Sequence, residues 1–358
     1  LQVVLEAIIA GFSVRMLAII IRRMDANTPS SPGLHQLNVM RLSWPADWSR
    51  IFGEQRPLIV EIGFGNGAYL LHLAERRPDA NIIGLEISSR SLDIAEQKII
   101  KRGVQHIRVV HSTAETALHH LFEPATIEEI HINFPDPWFK SRHSGRRLMQ
   151  RATLDAMVSR LAHGGRLYLA TDIIEYAAMC AELFAETSGL ENQLQTAWVN
   201  QMPGRIVTKY EGKALREGRP CYYFAYRRNH ETVPHIPVIK DLEMPHIIFK
   251  TALHHDDVVA QFEPRSYSIN EVHIKLMNAY RGERAALFEV YIKEATIDQH
   301  LVLLFAAREK HPGEYTLKLS SIGHPRPTAG VHQAVALLGE WIAGLHPENE
   351  ILKNKVRT

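Results

Sequence analysis

Only two cysteines, Cys180 and Cys221, occur in 358 residues, so no disulfide framework holds this chain together. That scarcity fits a reducing compartment, and a cytoplasmic location is expected. The 20 histidines are scattered, and pairs such as His119-His120 and His254-His255 lack the spacing of zinc ligands, so no metal is expected. A clean membrane span is also missing. The most apolar stretch, Leu1 to Met24, is broken by Glu6 and Arg15 and ends in Arg22-Arg23, and a charge in mid-segment is costly in lipid. It reads as an amphipathic helix, or as translated sequence upstream of a start at Met16 or Met24, rather than an anchor. It carries no small-residue cleavage site followed by an extracellular cysteine pattern. Finally, there is little net charge: +2 overall. Total charge therefore announces no polyanionic partner, and any such partner must be met by a local patch.

Such a patch is present. From Phe139 to Arg166 the chain places Lys140, Arg142, Arg146, Arg147, Arg151, Arg160 and Arg166 against Asp155 alone, whereas Pro234 to Thr358 holds 14 basic and 15 acidic residues. The length allows two domains. Asn27 to Gly33 reads as a linker. From Leu58 onward short apolar runs alternate with helical patterns. Strands are expected at Leu58 to Ile62, Asn81 to Glu86, Ile107 to Val110, Ile127 to Asn133, Arg166 to Thr171 and Tyr222 to Arg227. Helices are expected at Ala68 to Arg77, Ser88 to Arg102, Thr113 to Phe122, Met149 to Leu161 and Ile173 to Thr187. Alternation of this kind predicts a Rossmann-like α/β fold, a parallel sheet with helices on both faces. Gln201 to Pro220, rich in Gly, Lys and Arg, reads as a long functional loop. Prolines between His230 and Pro237 mark a boundary. Strands are expected beyond it at Ile247 to Ala252, Ser268 to Asn278, Ala286 to Ile292, Leu301 to Ala307 and Tyr315 to Ser320, closed by a helix at Gly330 to Leu345. The organisation expected is thus an N-terminal extension and linker over 1–33, an α/β domain over 34–233, and a smaller C-terminal α+β domain over 234–358.

Glu61-Ile62-Gly63-Phe64-Gly65-Asn66-Gly67 ends the first strand and opens the first helix. Glycines there let the backbone turn sharply and approach a ligand, in the crevice where open α/β sheets bind. Two acids favour S-adenosylmethionine over a nicotinamide dinucleotide. Glu61, two residues before Gly63, can position a methionine end. Glu86, ending the second strand, can accept ribose hydroxyls, although dinucleotide enzymes use that acid too. After the third strand, where an adenine amino group would welcome a carboxylate, Thr113 offers only a hydroxyl or its backbone.

Asn133-Phe134-Pro135-Asp136-Pro137-Trp138-Phe139-Lys140, followed by Arg142, Arg146 and Arg147, joins a carboxylate, an aromatic and a lysine to an arginine cluster. Two prolines stiffen the backbone around Asp136 and Trp138. The set suits a purine on an anionic backbone; the competing reading is a proline-rich surface turn with a solvated basic helix start.

With these residues assembled, the chain resembles the bacterial tRNA (guanine-N7-)-methyltransferases. Four blocks carry the likeness: Glu61 to Gly67; Phe134 to Lys140 with Arg142, Arg146 and Arg147; Thr171-Asp172; and Thr208-Lys209-Tyr210-Glu211. It covers roughly Leu58 to Arg228. The resemblance implies methyl transfer from S-adenosylmethionine to N7 of guanine 46 in the tRNA variable loop. It also implies a cofactor pocket of Glu61, Gly63, Gly65, Gly67, Glu86, Thr113 and Asp136. Substrate contacts would come from Lys140, Asp172, Thr208, Lys209, Tyr210 and Glu211, and RNA contacts from Arg142, Arg146 and Arg147. Two departures stand out. Family members commonly carry an acid where this chain has Thr113, and short members lack the segment after Pro234.

Chemistry completes the expectation. Guanine N7 has an in-plane lone pair and no proton, so alignment rather than a strong base is needed. The product ring is cationic, and Asp136 and Asp172 are expected to stabilise it and to hold the guanine N1–H and N2–H donors. Trp138 either stacks on the base or props its loop, and Glu211 either meets substrate or tethers its loop to Lys209 or an arginine. The protein is expected to act on tRNA without a membrane, as a monomer or homodimer. The alternative is a methyltransferase-like tRNA binder with lost or altered activity, for which Thr113 is the argument.

Overall fold

A computed structural model describes residues 35–138 and 147–357. The expected extension and linker over 1–33, and Lys140, Arg142 and Arg146, lie outside the described residues. The chain divides into two compact units, which change over between Ile239 and Lys240. The stretch from the expected boundary at 234 to Ile239 packs with the first unit: Arg160, fully buried, donates to the Ile236 carbonyl (2.6 Å), and the Ile239 N–H donates to the His119 carbonyl (2.9 Å).

In the first unit the elements run β1 (Gln36–Asn38), α1 (Trp48–Phe52), β2 (Leu58–Ile62), α2 (Ala68–Arg76), β3 (Asn81–Glu86), α3 (Ser89–Arg102), β4 (Ile107–His111) and α4 (Ala114–His120). They continue with β5 (Ile127–Asn133), α5 (Arg151–Arg160), β6 (Leu161–Thr171), α6 (Ile174–Ala185), β7 (Leu190–Asn192), α7 (Lys209–Arg216) and β8 (Tyr222–Arg228). The sheet order is β1-β4-β3-β2-β5-β6-β8-β7. Strands β1 to β6 pair parallel, while β8 runs antiparallel to β6 and β7 antiparallel to β8. All five residues of β2 are buried, as a strand covered on both faces requires. The chain winds outward from β2 to β4, then returns to β5 on the other side of β2. That reversal opens a crevice between the carboxyl ends of β2 and β5.

The second unit comprises β9 (His246–Lys250), α8 (His255–Ala260), β10 (Arg265–Ile269), β11 (Val272–Arg281), β12 (Ala285–Lys293), β13 (Asp298–Ala307), β14 (Glu314–Leu319), α9 (Ala329–Ala343) and β15 (Glu350–Asn354). Its antiparallel sheet has the order β10-β11-β12-β13-β14-β9-β15. Alternate residues such as Phe288, Val290 and Ile292 meet Phe249, Phe305 and Val335 in one core under α9. At the start of α8, His254, His255 and Asp256 bring ligand-type atoms within 4.8 Å. His254 Nδ1 is already used there, accepting the Asp256 N–H, and a helix N-terminus disfavours a cation.

Three expectations need correcting. The run Ser268 to Asn278 is not one strand but a hairpin, β10 and β11, turning at Asn270 (φ 46°) and Glu271 (φ 65°). Two left-handed residues are what a tight primed turn demands, and without a glycine the sequence did not advertise it. Gln201 to Pro220 is not all loop, because α7 sits inside it. The closing helix is followed by another strand, β15, which pairs with β9.

Candidate active site

The site starts from the turn after β2. Gly63 (φ 72°), Gly65 (φ 56°) and Gly67 (φ 72°) are left-handed, a conformation a side chain would strain. A Cβ at Gly63 or Gly65 would meet nothing within 4 Å, so open space lies over that backbone. At Gly67 a Cβ would come 2.6 Å from the Ala95 Cβ, because α2 and α3 pack closely there. Gly67→Ala is therefore expected to destabilise the protein by about 2 kcal/mol or more; a urea titration returning near wild-type stability would contradict this packing account.

Glu86, at the end of β3, stabilises the turn. Its Oε2 accepts the Gly65 N–H (3.0 Å), and its Oε1 accepts those of Ile87 (2.8 Å) and Ser88 (3.0 Å). A carboxylate has about four acceptor positions, so one remains for a hydroxyl. Glu61, on β2, is 1% exposed. Its Oε1 accepts from Asn133 Nδ2 (3.0 Å), and its Oε2 is buried with no hydrogen-bond partner among the described residues. Burial pushes the Glu61 carboxyl up to about 8, against the Asn133 hydrogen bond and the Arg205 charge, with Glu86 adding to the rise.

A cavity of about 290 Å³ opens here, lined by Glu61, Gly63, Gly65, Tyr69 and Asn133 on one side and by Thr208, Lys209 and Tyr210 on the other. A larger cavity, about 650 Å³, borders Leu58, Asn81 and Thr126 at the amino-terminal edge of the strands. That is the wrong edge for the ligand of an open α/β sheet, so the smaller one is the candidate site.

The Thr208 turn is held by its own cap. Thr208 Oγ1 accepts the Glu211 N–H (3.3 Å), and Glu211 Oε2 accepts the Thr208 N–H (3.2 Å), a reciprocal capping box that starts α7. Glu211 Oε1 also accepts the Tyr223 hydroxyl proton (2.7 Å). Glu211 thus holds its own loop, through Thr208 and Tyr223 rather than through Lys209 or an arginine. Thr113 is likewise a cap, bonded to the Thr116 N–H (3.1 Å) and hydroxyl (3.0 Å), and its carbonyl accepts from the Ser112 hydroxyl (2.9 Å) and the Ala117 N–H (3.1 Å).

Asp136 and Asp172 leave neighbouring strands at the same edge. β5 and β6 are parallel with Asn133 opposite Ala170, and the Phe134 N–H donates to the Ala170 carbonyl (2.8 Å). Asp136 is exposed. Asp172 is ion-paired with Arg219, whose Nε and Nη2 also reach Glu217 Oε2 (3.0 and 2.7 Å). Around Asp136, Phe134 (φ 52°) and Trp138 (φ 42°) are both left-handed. Aromatics in that region are strained, which is typical of functional loops. Arg147 braces this loop, donating from Nε to the carbonyls of Pro137 (3.1 Å) and Trp138 (3.4 Å). Glu86, Thr113, Asp136 and Asp172 do not line the cavity itself.

Sequence reasoning assigned nothing to Tyr69, Asn133, Arg205, Arg219 or Tyr223. Asn133 stands at the start of the proline-rich block, which was its only signal. Arg205 lies three residues before Thr208, in a stretch whose charge alone drew notice.

A turn of three left-handed glycines, two acids on adjacent strand ends and a buried carboxylate oxygen without a partner among the described residues match S-adenosylmethionine. Fold and site together define a Rossmann-like S-adenosylmethionine-dependent methyltransferase. A family model described as a putative methyltransferase matches residues 55–224. A tRNA (guanine-N(7)-)-methyltransferase of Thermus thermophilus is 30% identical over 296 residues, covering 82% of this chain and 92% of that protein. Since 239 residues precede Lys240, that match reaches into the second unit. The namesake of Cupriavidus metallidurans is 36% identical over 187 residues, covering 51% of this chain and 71% of that protein. Among solved structures, a Streptococcus thermophilus rRNA methylase aligns with a TM-score of 0.35 at 16% identity, covering 49% of this chain and 88% of that one. The chain belongs to the tRNA (guanine-N(7)-)-methyltransferase family. Among the described residues, no helix is long and apolar enough to cross a membrane.

Proposed function

We propose that this protein methylates N7 of guanine in tRNA, at position 46 of the variable loop. The observation that carries the reading is the shared cavity. The Thr208–Tyr210 turn faces Glu61 and the glycine turn across it, so a base admitted past that turn meets whatever the glycines hold. On this reading residues 34–233 are the methyltransferase domain, 1–33 an extension and 234–358 a separate α+β domain.

Bound S-adenosylmethionine supplies an electrophilic methyl on a sulfonium. Glu61, whose Oε2 has no hydrogen-bond partner among the described residues, suits its ammonium group, and the vacant acceptor position on Glu86 suits a ribose hydroxyl. Guanine N7 would take the methyl along its in-plane lone pair as the sulfur–methyl bond breaks and S-adenosylhomocysteine leaves, and no proton has to leave. Asp172 receives the N1–H and N2–H edge of the base. In the free protein the Arg219 guanidinium, a planar array of similar donors, holds that position and must yield. As N7 alkylates, the ring gains positive charge, and the Asp136 and Asp172 carboxylates lower the energy of that state. Lys140 faces O6 or a phosphate, and Arg142 and Arg146 take phosphates; Arg147 joins them while its Nε braces the Trp138 loop.

The test incubates the full chain with methyl-labelled S-adenosylmethionine and unmodified tRNA, then identifies the nucleoside and maps it by cleavage at 7-methylguanosine. Label in 7-methylguanosine at position 46 is expected. Label elsewhere, or tRNA binding with no transfer, would refute the assignment.

A further inference from the structure

Arg205 is the charge nearest to joining the two walls of the cavity. Its Nη1 donates to the Tyr69 hydroxyl (3.0 Å), and its Nη2 donates to Asn133 Oδ1. Asn133 in turn donates to Glu61 Oε1 (3.0 Å). The guanidinium lies over the rings of Tyr69 (4.8 Å) and Tyr223 (5.2 Å). Tyr223 donates to Glu211, which caps the turn carrying Thr208 to Tyr210. One side chain thus bonds the floor of the cavity through Asn133 and touches the wall through Tyr223. Just ahead of it, the Gly204 carbonyl accepts from Arg76 and hydrogen-bonds His72 Nε2 (3.0 Å), which ties the same loop to α2.

We propose that Arg205 is a positioning residue: it ties the Thr208–Tyr210 wall to the Asn133–Glu61 floor, so that holding the wall and placing a cation beside Glu61 are one event. The inference rests on the cofactor reading above and adds to it a coupling between loop and acid. Other groups surround Glu61. Glu86 comes from β3, Tyr69 from α2 and His131 from β5, while Arg90 of α3 and Lys209 of α7 line the same cavity. Burial holds His131 below the usual imidazole range, so it adds no charge near neutrality. Burial likewise pushes Tyr69 up to about 12, so it stays a neutral acceptor for Arg205. Of the two charged groups acting on Glu61, Arg205 lowers its proton affinity and Glu86 raises it.

The sign follows. An ionised Glu61 attracts the ligand's ammonium group, so affinity rises with pH through the Glu61 titration. Removing the Arg205 charge moves that rise to higher pH. The test uses the full chain, S-adenosylhomocysteine and no tRNA, with calorimetric binding from pH 6 to 9. It also measures tryptic cleavage at Lys209 and Lys213 without ligand. In Arg205→Ala the binding midpoint is expected to move up by about one pH unit, with affinity at pH 7.5 down roughly 10-fold, and cleavage is expected to accelerate. Arg205→Lys keeps the charge, but an ammonium cannot span Asn133 and Tyr69, so cleavage is expected to accelerate and the midpoint to fall between those of wild type and Arg205→Ala. Should Arg205→Ala fail to fold, Asn133→Ala cuts the same link, and both readouts are expected to move together. A midpoint that shifts without faster cleavage, or neither change, would overturn the coupling. Absence of binding by wild type would overturn the cofactor reading itself, whereas normal wild-type binding with an unaltered Arg205→Ala removes only this inference.

Discussion

Glu61→Gln is expected to weaken cofactor binding roughly 10- to 100-fold, as loss of a charge-assisted hydrogen bond implies, and yet to make the free protein more stable above pH 8. Both effects come from one buried carboxyl. In the fold Glu61 holds its proton up to about pH 8, against 4.5 in the unfolded chain. Between those values the native state binds more protons than the unfolded one, so stability falls as pH rises across that window. Above it, the fold carries an anion whose Oε2 has no hydrogen-bond donor among the described residues. Glutamine keeps the shape and the bond from Asn133 but carries no charge to desolvate. Unfolding by denaturant at pH 5 and pH 9 checks this: the two proteins should differ little at pH 5, with the variant ahead at pH 9. A variant less stable than wild type at pH 9, or one binding S-adenosylhomocysteine normally, would remove Glu61 from this role.

Asp172→Asn should lower kcat for tRNA methylation on the order of 100-fold, the scale of removing one group aimed at transition-state charge, with cofactor affinity little changed. The side chain keeps its size but exchanges one acceptor oxygen for a donor, so the loss combines the charge with one contact to the base. Folding should barely suffer. The Asp172–Arg219 pair is partly open to solvent, with side-chain exposures of 16% and 34%, and such pairs contribute about 1 kcal/mol or less. Kinetics separate two roles. A lower kcat with steady KM means that Asp172 stabilises the cationic ring. A raised KM with kcat intact means that it only holds the base, and the electrostatic part of the mechanism then fails.

Much of this was legible along the chain because it is local. Alternating apolar runs and helical patterns give β2 to β6, β8 and α2 to α6 of the first unit, since each strand buries its own residues and each helix its own face, but not β1, α1, β7 or α7. The glycine turn was visible because left-handed backbone leaves few residue choices. The Thr208-x-x-Glu211 spacing was equally visible, and it was a helix-cap signature as much as a binding motif. Reading it only as substrate contact hid α7. The β10–β11 turn was illegible, because Asn270 and Glu271 take positive φ without glycine.

The sequence by itself determined the parallel run of strands β2 to β6, the glycine turn after β2, and the acids at successive strand ends. All of these follow from residues close together in the chain. Only the tertiary structure decided that Arg205 reaches Asn133 and Tyr69, that Arg219 occupies Asp172, and that Glu61 is buried deeply enough to hold its proton near neutrality. Those partners lie far apart in sequence, and desolvation, ion pairing and hydrogen bonding depend on distance in space.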